Sequence, residues 1–117
     1  YKLADGSGLS LYNYLSAELE VKLLRYAYHD DNILPHLKQS LPIAGVDGTL
    51  KTRMRSGFAH GNVKAKTGTL TGIISLAGYC QAANGHDLCF SIINNGIMHG
   101  NNARNFADKV CELLCQP

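Results

Sequence analysis

Long apolar runs are missing from this chain of 117 residues. None approaches the length of about 20 residues that a membrane-spanning helix needs, and the opening Tyr1-Lys2-Leu3-Ala4-Asp5 meets Gly6 and Ser7 at once, without the apolar centre of a secretory leader. An excess of one charge is missing too. The net charge is +2, which gives no reason to expect nucleic acid, and without a basic run there is none for a membrane surface. No solenoid repeat or low-complexity tract is visible. The four cysteines form no Cys-x-x-Cys or His-Cys arrangement of the kind that holds zinc. His29-Asp30-Asp31-Asn32 are consecutive, so they cannot converge on one ion; they read as a solvated loop with an aspartate capping the next helix. No metal and no cofactor are expected. What remains, 45% hydrophobic and 17% charged residues, is one ordinary globular piece.

Within that piece, Val63-Lys64-Ala65-Lys66-Thr67-Gly68-Thr69-Leu70 alternates as a strand. Val63, Ala65 and Thr67 share one face and Lys64, Lys66 and Gly68 the other. A glycine inside a strand costs stability, so it often marks close approach of a ligand or another backbone. Lysine adds positive potential and threonine a hydroxyl donor. Lys66-Thr67-Gly68 therefore reads as an anion-binding edge.

Elsewhere the chain is helical first and stranded later. Leu11, Leu15, Leu19 and Leu23, with Tyr26 and Ala27 near the same stripe, predict a helix from about Leu11 to Tyr28. A short helix over Ile33 to Gln39 tolerates Pro35 in its first turn and is broken by Leu41-Pro42. Gly45 and Asp47-Gly48 mark turns, and Thr49 caps a short helix through Arg55. Lys51, Arg53 and Arg55 read as an exposed basic face. Strands follow near 63–70, 73–83 and 86–94, and a last helix runs from about Asn102 to Leu114.

Asn84-Gly85 is a two-residue hairpin signal. With that loop, Cys80 stands directly opposite Cys89 at a non-hydrogen-bonded position, where either a disulfide or two buried thiols fit. Cys111 and Cys115 share a helix face and pack against the sheet. The strand pair is apolar on both faces and needs cover on both. Phe106, Val110, Leu113 and Leu114 of the last helix are expected to cover one, and the early helices the other. The fold class is thus α+β, an antiparallel sheet between helices.

Ser10 and Asn13 have two compatible readings. The serine is a helix N-cap with a polar residue following it, or both side chains enter a cleft from one helical face. Ser7, between two glycines, does not form a nucleophile elbow, because the outer positions are Asp5 and Leu9.

Three blocks in order carry a family resemblance: Asp5-Gly6-Ser7-Gly8-Leu9-Ser10 with Asn13, then Leu41-Pro42-Ile43-Ala44-Gly45-Val46-Asp47-Gly48-Thr49-Leu50, then Lys64-Ala65-Lys66-Thr67-Gly68-Thr69-Leu70. Together they resemble the C-terminal part of the D-alanyl-D-alanine carboxypeptidase/endopeptidases among the low-molecular-mass, class C penicillin-binding proteins, over nearly the whole chain. Lys-Thr-Gly alone would fit any penicillin-recognising serine enzyme. The resemblance implies a β-lactamase/transpeptidase-like fold, of which residues 1–117 are a single C-terminal portion, and a serine-type peptidase of the cell envelope whose leader lies upstream. It implies peptidoglycan stem peptides ending in D-Ala-D-Ala as substrates and β-lactams as inhibitors.

In that family the serine of Ser-x-x-Lys forms an acyl-enzyme. No Ser-x-x-Lys occurs here, so the resemblance puts the nucleophile upstream and makes the isolated chain inactive. It implies Lys66 for positive potential and proton relay, Thr67 for the substrate carboxylate, Gly68 for close approach and the Thr69 N–H for the oxyanion. It implies Ser10 for proton transfer to the leaving amine and Asn13 for the substrate backbone. The alternatives are a catalytically silent penicillin- or muropeptide-binding module and an interaction domain whose Lys-Thr-Gly is accidental.

Overall fold

The computed structural model describes residues 15–70, 72–96 and 98–117. The elements run α1 (Ala17–Tyr28), α2 (Leu34–Ser40), a 3-10 turn Gly48–Leu50, β1 (Lys64–Leu70), β2 (Ile73–Gln81), β3 (Asp87–Asn95) and α3 (Gly100–Cys115). The three strands form one antiparallel sheet in the order β1-β2-β3. The α+β class and all three strands agree with expectation. No helix among the described residues is long and apolar enough to cross a membrane.

The first helix begins later than its leucine spacing predicts. Leu15 is outside it and Ser16 is the N-cap, its hydroxyl accepting from the Leu19 N–H at 3.1 Å. Such a cap is worth about 1 kcal/mol. The leucine stripe is not the buried face either: Leu15, Leu23 and Tyr26 are exposed and Ala27 is buried. A strict four-residue repeat drifts around a helix of 3.6 residues per turn. The face turned to the sheet carries Val21, whose carbonyl lies 3.9 Å from the Cys89 Sγ, and Leu24, whose carbonyl accepts from the Tyr79 hydroxyl at 2.6 Å.

A one-residue difference in the β2–β3 turn changes every pairing beyond it. Ala82 N–H donates to the His86 carbonyl and Gly85 N–H to that of Ala82, so the loop is Ala83-Asn84-Gly85, closed by Gly85 at φ +88°. This is the three-residue hairpin with a left-handed glycine. Cys80 therefore pairs with Leu88, and Cys89 with Tyr79. Opposed residues share a face, so Cys80 and Cys89 lie on opposite faces, and a disulfide between them is excluded. All four cysteines are free thiols.

The same register sorts the core. Leu76, Cys80 and Phe90, with Val63 and Ala65, pack with Ala107, Cys111 and Cys115 of α3, while Leu88 and Ile92 adjoin them. The apolar residues expected to cover the sheet are rotated away: Phe106 and Leu113 are exposed, Val110 is half-buried, and only Leu114 packs at the margin. Small residues, Ala103, Ala107, Cys111 and Cys115, form the contact stripe instead, which lets the helix axis approach the sheet closely. Leu50, Leu76, Val63 and Cys111 are fully enclosed; burying an aliphatic side chain this far contributes about 2 kcal/mol.

Between α2 and β1 the chain makes a long loop with few strand-like bonds, yet it is tightly anchored. Ala44 N–H donates to the Val63 carbonyl and Ala65 N–H to that of Pro42. The Asn62 amide exchanges two 2.8 Å bonds with the Gln81 backbone. Glu112 of α3 accepts from the amides of Phe58 and Ala59 at 2.8 and 2.9 Å. One turn earlier on the same helix, Asp108 accepts from Arg53 Nη2 at 2.6 Å and Nε at 3.1 Å. Arg53 is thus a half-buried anchor rather than part of an exposed basic face, while Lys51 and Arg55 on either side of it are exposed as expected.

Candidate functional site at the edge of the first strand

β1 is an edge strand, and the loop covers only its beginning. Pro42 and Ala44 pair with Ala65 and Val63. Because backbone groups alternate direction along a strand, the amides of Thr67 and Thr69 face the same outer edge as that of Ala65. Among the described residues no backbone group meets them there. Lys66 Nζ folds over this edge and donates to the Thr67 carbonyl at 2.7 Å. An exposed ammonium, an outward carbonyl and two outward N–H groups lie within one short segment.

Thr67 is held from outside its own strand. Its hydroxyl donates to the Thr49 Oγ1 at 3.1 Å. Thr49 stands in the 3-10 turn, whose loop is fixed by the Asp47 carboxylate accepting from the Ile43 N–H at 2.7 Å. The middle block of the sequence thus supports the hydroxyl of the third. Gly68 has a reason inside the protein: a Cβ there would stand 2.5 Å from the Ser75 Oγ on the paired strand.

Thr49, Arg53, Thr67, Gly68, Thr69, Ile74, Ser75 and Arg104 line a small cavity of about 220 Å³ beside this edge. Sequence reasoning missed Thr49 and Arg104. The first lay inside a recognised block, which was a usable signal. The second lies on a helix whose contact face was assigned from Phe106 and Leu113, and that assignment hid it.

A larger cavity, about 550 Å³, opens near the start of β1 between Tyr28, Lys38, Lys64, Tyr79 and Asp87. Its polar groups already serve one another. Tyr28 donates to the Asp87 carboxylate at 2.5 Å, and Lys38 Nζ lies 5.7 and 5.9 Å from the Tyr28 and Tyr79 ring centres. On the α1 side of the sheet, burial pushes the Glu20 carboxyl up from its ordinary 4.5. No group of three or more metal-ligating side chains is found among the described residues. Of the six site residues expected from sequence, Lys66, Thr67, Gly68 and Thr69 stand together at the edge; Ser10 and Asn13 lie outside the described residues.

An antiparallel sheet between helices with such an edge is the fold of the penicillin-recognising proteins. The chain belongs to the D-Ala-D-Ala carboxypeptidase 3 (S13) family, which is matched over residues 1–116. It is 45% identical over 102 residues to the D-alanyl-D-alanine carboxypeptidase of Actinomadura sp. (strain R39), covering 80% of this chain and 18% of that protein. The crystal structure of penicillin binding protein 4 from Haemophilus influenzae superposes with a TM-score of 0.81 at 34% identity, over 95% of this chain and 27% of that one. A structure of that protein complexed with a β-lactam matches equally well. A predatory endopeptidase of Bdellovibrio bacteriovorus, acylated by penicillin G, shares the fold at a TM-score of 0.69 and 19% identity, over 97% of this chain and 34% of that one. The chain spans about a fifth of the length of the curated relatives it matches.

Proposed function

We propose that the chain is the C-terminal part of a serine-type D-Ala-D-Ala carboxypeptidase of the bacterial envelope, and that it supplies the Lys-Thr-Gly side of a cleft whose nucleophile comes from outside these residues. The observation that carries this reading is the open edge at Thr67–Thr69 with Lys66 Nζ above it.

A serine hydroxyl from the other side of the cleft attacks the peptide carbonyl before the terminal D-alanine of a peptidoglycan stem peptide. The carbonyl oxygen gains negative charge, and the Thr69 N–H donates to it. One such donor is worth about 3 kcal/mol in the transition state. With substrate bound, the Thr67 hydroxyl turns its proton to the terminal carboxylate and accepts from the Thr49 hydroxyl instead, while Lys66 adds positive potential there and takes part in moving the serine proton towards the leaving amine. The acyl-enzyme is then released by water, and a β-lactam is held at the acyl stage.

The test is acylation by a fluorescent penicillin. The complete protein is expected to label and the 117-residue chain alone to stay dark. Lys66→Ala in the complete protein is expected to slow labelling by at least about 100-fold. Labelling at the wild-type rate would remove Lys66 from the mechanism, and a complete protein that never labels but retains D-Ala-D-Ala peptides would make it a binding module.

A further inference from the structure

Two guanidinium groups and a single carboxylate meet beside the β1 edge. Asp108 is committed to Arg53, which grips it through Nη2 at 2.6 Å and through Nε at 3.1 and 3.4 Å, and whose Nη2 also reaches the Arg104 carbonyl at 3.4 Å. Arg53 is thereby neutralised and immobilised. Arg104 has no carboxylate among the described residues. Its one side-chain partner there is the Asn101 Oδ1, at a long 3.5 Å. Among the described residues the cavity therefore carries one uncompensated positive charge, next to the hydroxyl-bearing residues Thr49, Thr67 and Thr69.

The local chain keeps that charge in place. Arg104 lies on the first turns of α3, one position after buried Ala103, and lines the cavity. Gly100 stands beneath the guanidinium: a Cβ there would be 2.9 Å from Arg104 Nη1 and 3.6 Å from the Ile74 Cδ1. Ile74 pairs with Thr69 across the sheet. The guanidinium and the Ile74 side chain thus both lie beside Gly100, close to the Thr67–Thr69 edge, and a guanidinium is suited to grip a carboxylate through two parallel N–H bonds. At about 220 Å³ the cavity suits the end of a peptide chain rather than its middle.

We propose that Arg104 is a specificity-determining residue that selects substrates ending in a free carboxylate, acting with the Thr67 hydroxyl. The proposal rests on the functional reading above. It leaves Lys66 and Thr69 the roles given above and adds Arg104 to Thr67 in gripping the terminus.

The experiment compares kcat/KM of the complete enzyme for a stem-peptide mimic ending in D-Ala-D-Ala with kcat/KM for the same peptide as its C-terminal amide. Wild type is expected to prefer the carboxylate. Arg104→Gln is expected to reduce that preference by about 10- to 100-fold, the range for losing a charge-assisted hydrogen bond, and Arg104→Lys to restore part of it. Thermal melts establish that each variant is folded, and Arg104→Met, equally without charge, takes the place of the glutamine variant if that one is not tolerated. An unchanged carboxylate-to-amide ratio in a folded variant overturns the role of Arg104. Failure of the wild-type enzyme to be acylated by penicillin overturns the functional reading, and this proposal with it.

Discussion

The hydroxyl of Thr67 is tethered to that of Thr49, 18 residues earlier, at 3.1 Å. The bond joins β1 to a loop that is itself tied to α3 through Arg53 and Glu112. The side chain proposed to meet the substrate carboxylate is thus oriented by an anchored loop rather than by its own strand.

Thr49→Val keeps the volume and removes the tether. One neutral hydrogen bond is worth about 1 kcal/mol, so the penicillin acylation rate of the complete enzyme is expected to fall about fivefold with little change in melting temperature. An unaltered rate would mean that Thr67 holds its rotamer unaided.

Gly68→Ala places a methyl group 2.5 Å from the Ser75 Oγ. Overpacking of this kind costs about 1–3 kcal/mol. Ser75→Ala removes the clashing oxygen, because the Ser75 Cβ lies 3.9 Å away, so the double variant is expected to regain most of the loss in a denaturant titration. Gly78→Ala offers no such relief: its Cβ would stand 2.1 Å from the Lys64 carbonyl oxygen and 2.5 Å from the Ala65 Cα. No single side-chain truncation should rescue it.

Glu112→Ala leaves the Phe58 and Ala59 amides without their carboxylate. Bonds to a charged acceptor contribute about 1.5–3 kcal/mol each, and solvent exposure at Phe58 places the total near the lower end, about 3 kcal/mol. Hydrogen exchange is expected to quicken first at residues 57–61, before the strands lose protection. Uniform loss across the sheet would contradict a local anchor.

Burial pushes the Cys80 and Cys111 thiols up to about 12, neighbouring cysteines and, at Cys111, Asp108 adding to the effect while Arg53 opposes it there. At pH 8 both are protonated and enclosed, so iodoacetamide is expected to label them only after unfolding, since the thiolate is the nucleophile. The folded state holds these protons more tightly than the unfolded chain, whose thiols ionise near 9. Stability is therefore fully present below pH 9 and declines as the pH rises towards 12. Replacing both cysteines with alanine should flatten that alkaline decline.

The strands were legible because alternation and the glycine-bearing turns speak for themselves, and Lys66, Thr67, Gly68 and Thr69, proposed as site residues, stand at one edge because they are adjacent in sequence. Failures arose where two spacings competed. Leucines at intervals of four in α1 and large apolar residues in α3 drew attention to faces that the structure leaves exposed, while Ala27, Ala103 and Ala107 make the close contacts. Local patterning reports hydrophobicity, whereas close packing of a helix on a sheet favours small side chains. Arg104 was invisible for the same reason: its importance depends on Asp108 already being engaged by a residue 55 positions away.

The hairpin between β2 and β3 gives the molecule a parity rule. Its loop of Ala83, Asn84 and Gly85 makes the numbers of paired residues sum to 168, as in Tyr79 with Cys89. Adding or deleting one residue there while the loop stays three residues long would slip the register by one and invert β3, sending Ser91 into the α3 side and turning Phe90 away from it. Two residues could be inserted with no inversion at all. Length variation among descendants of this chain is therefore expected to accumulate at this turn in even steps, a constraint imposed by counting and indifferent to which amino acids are added.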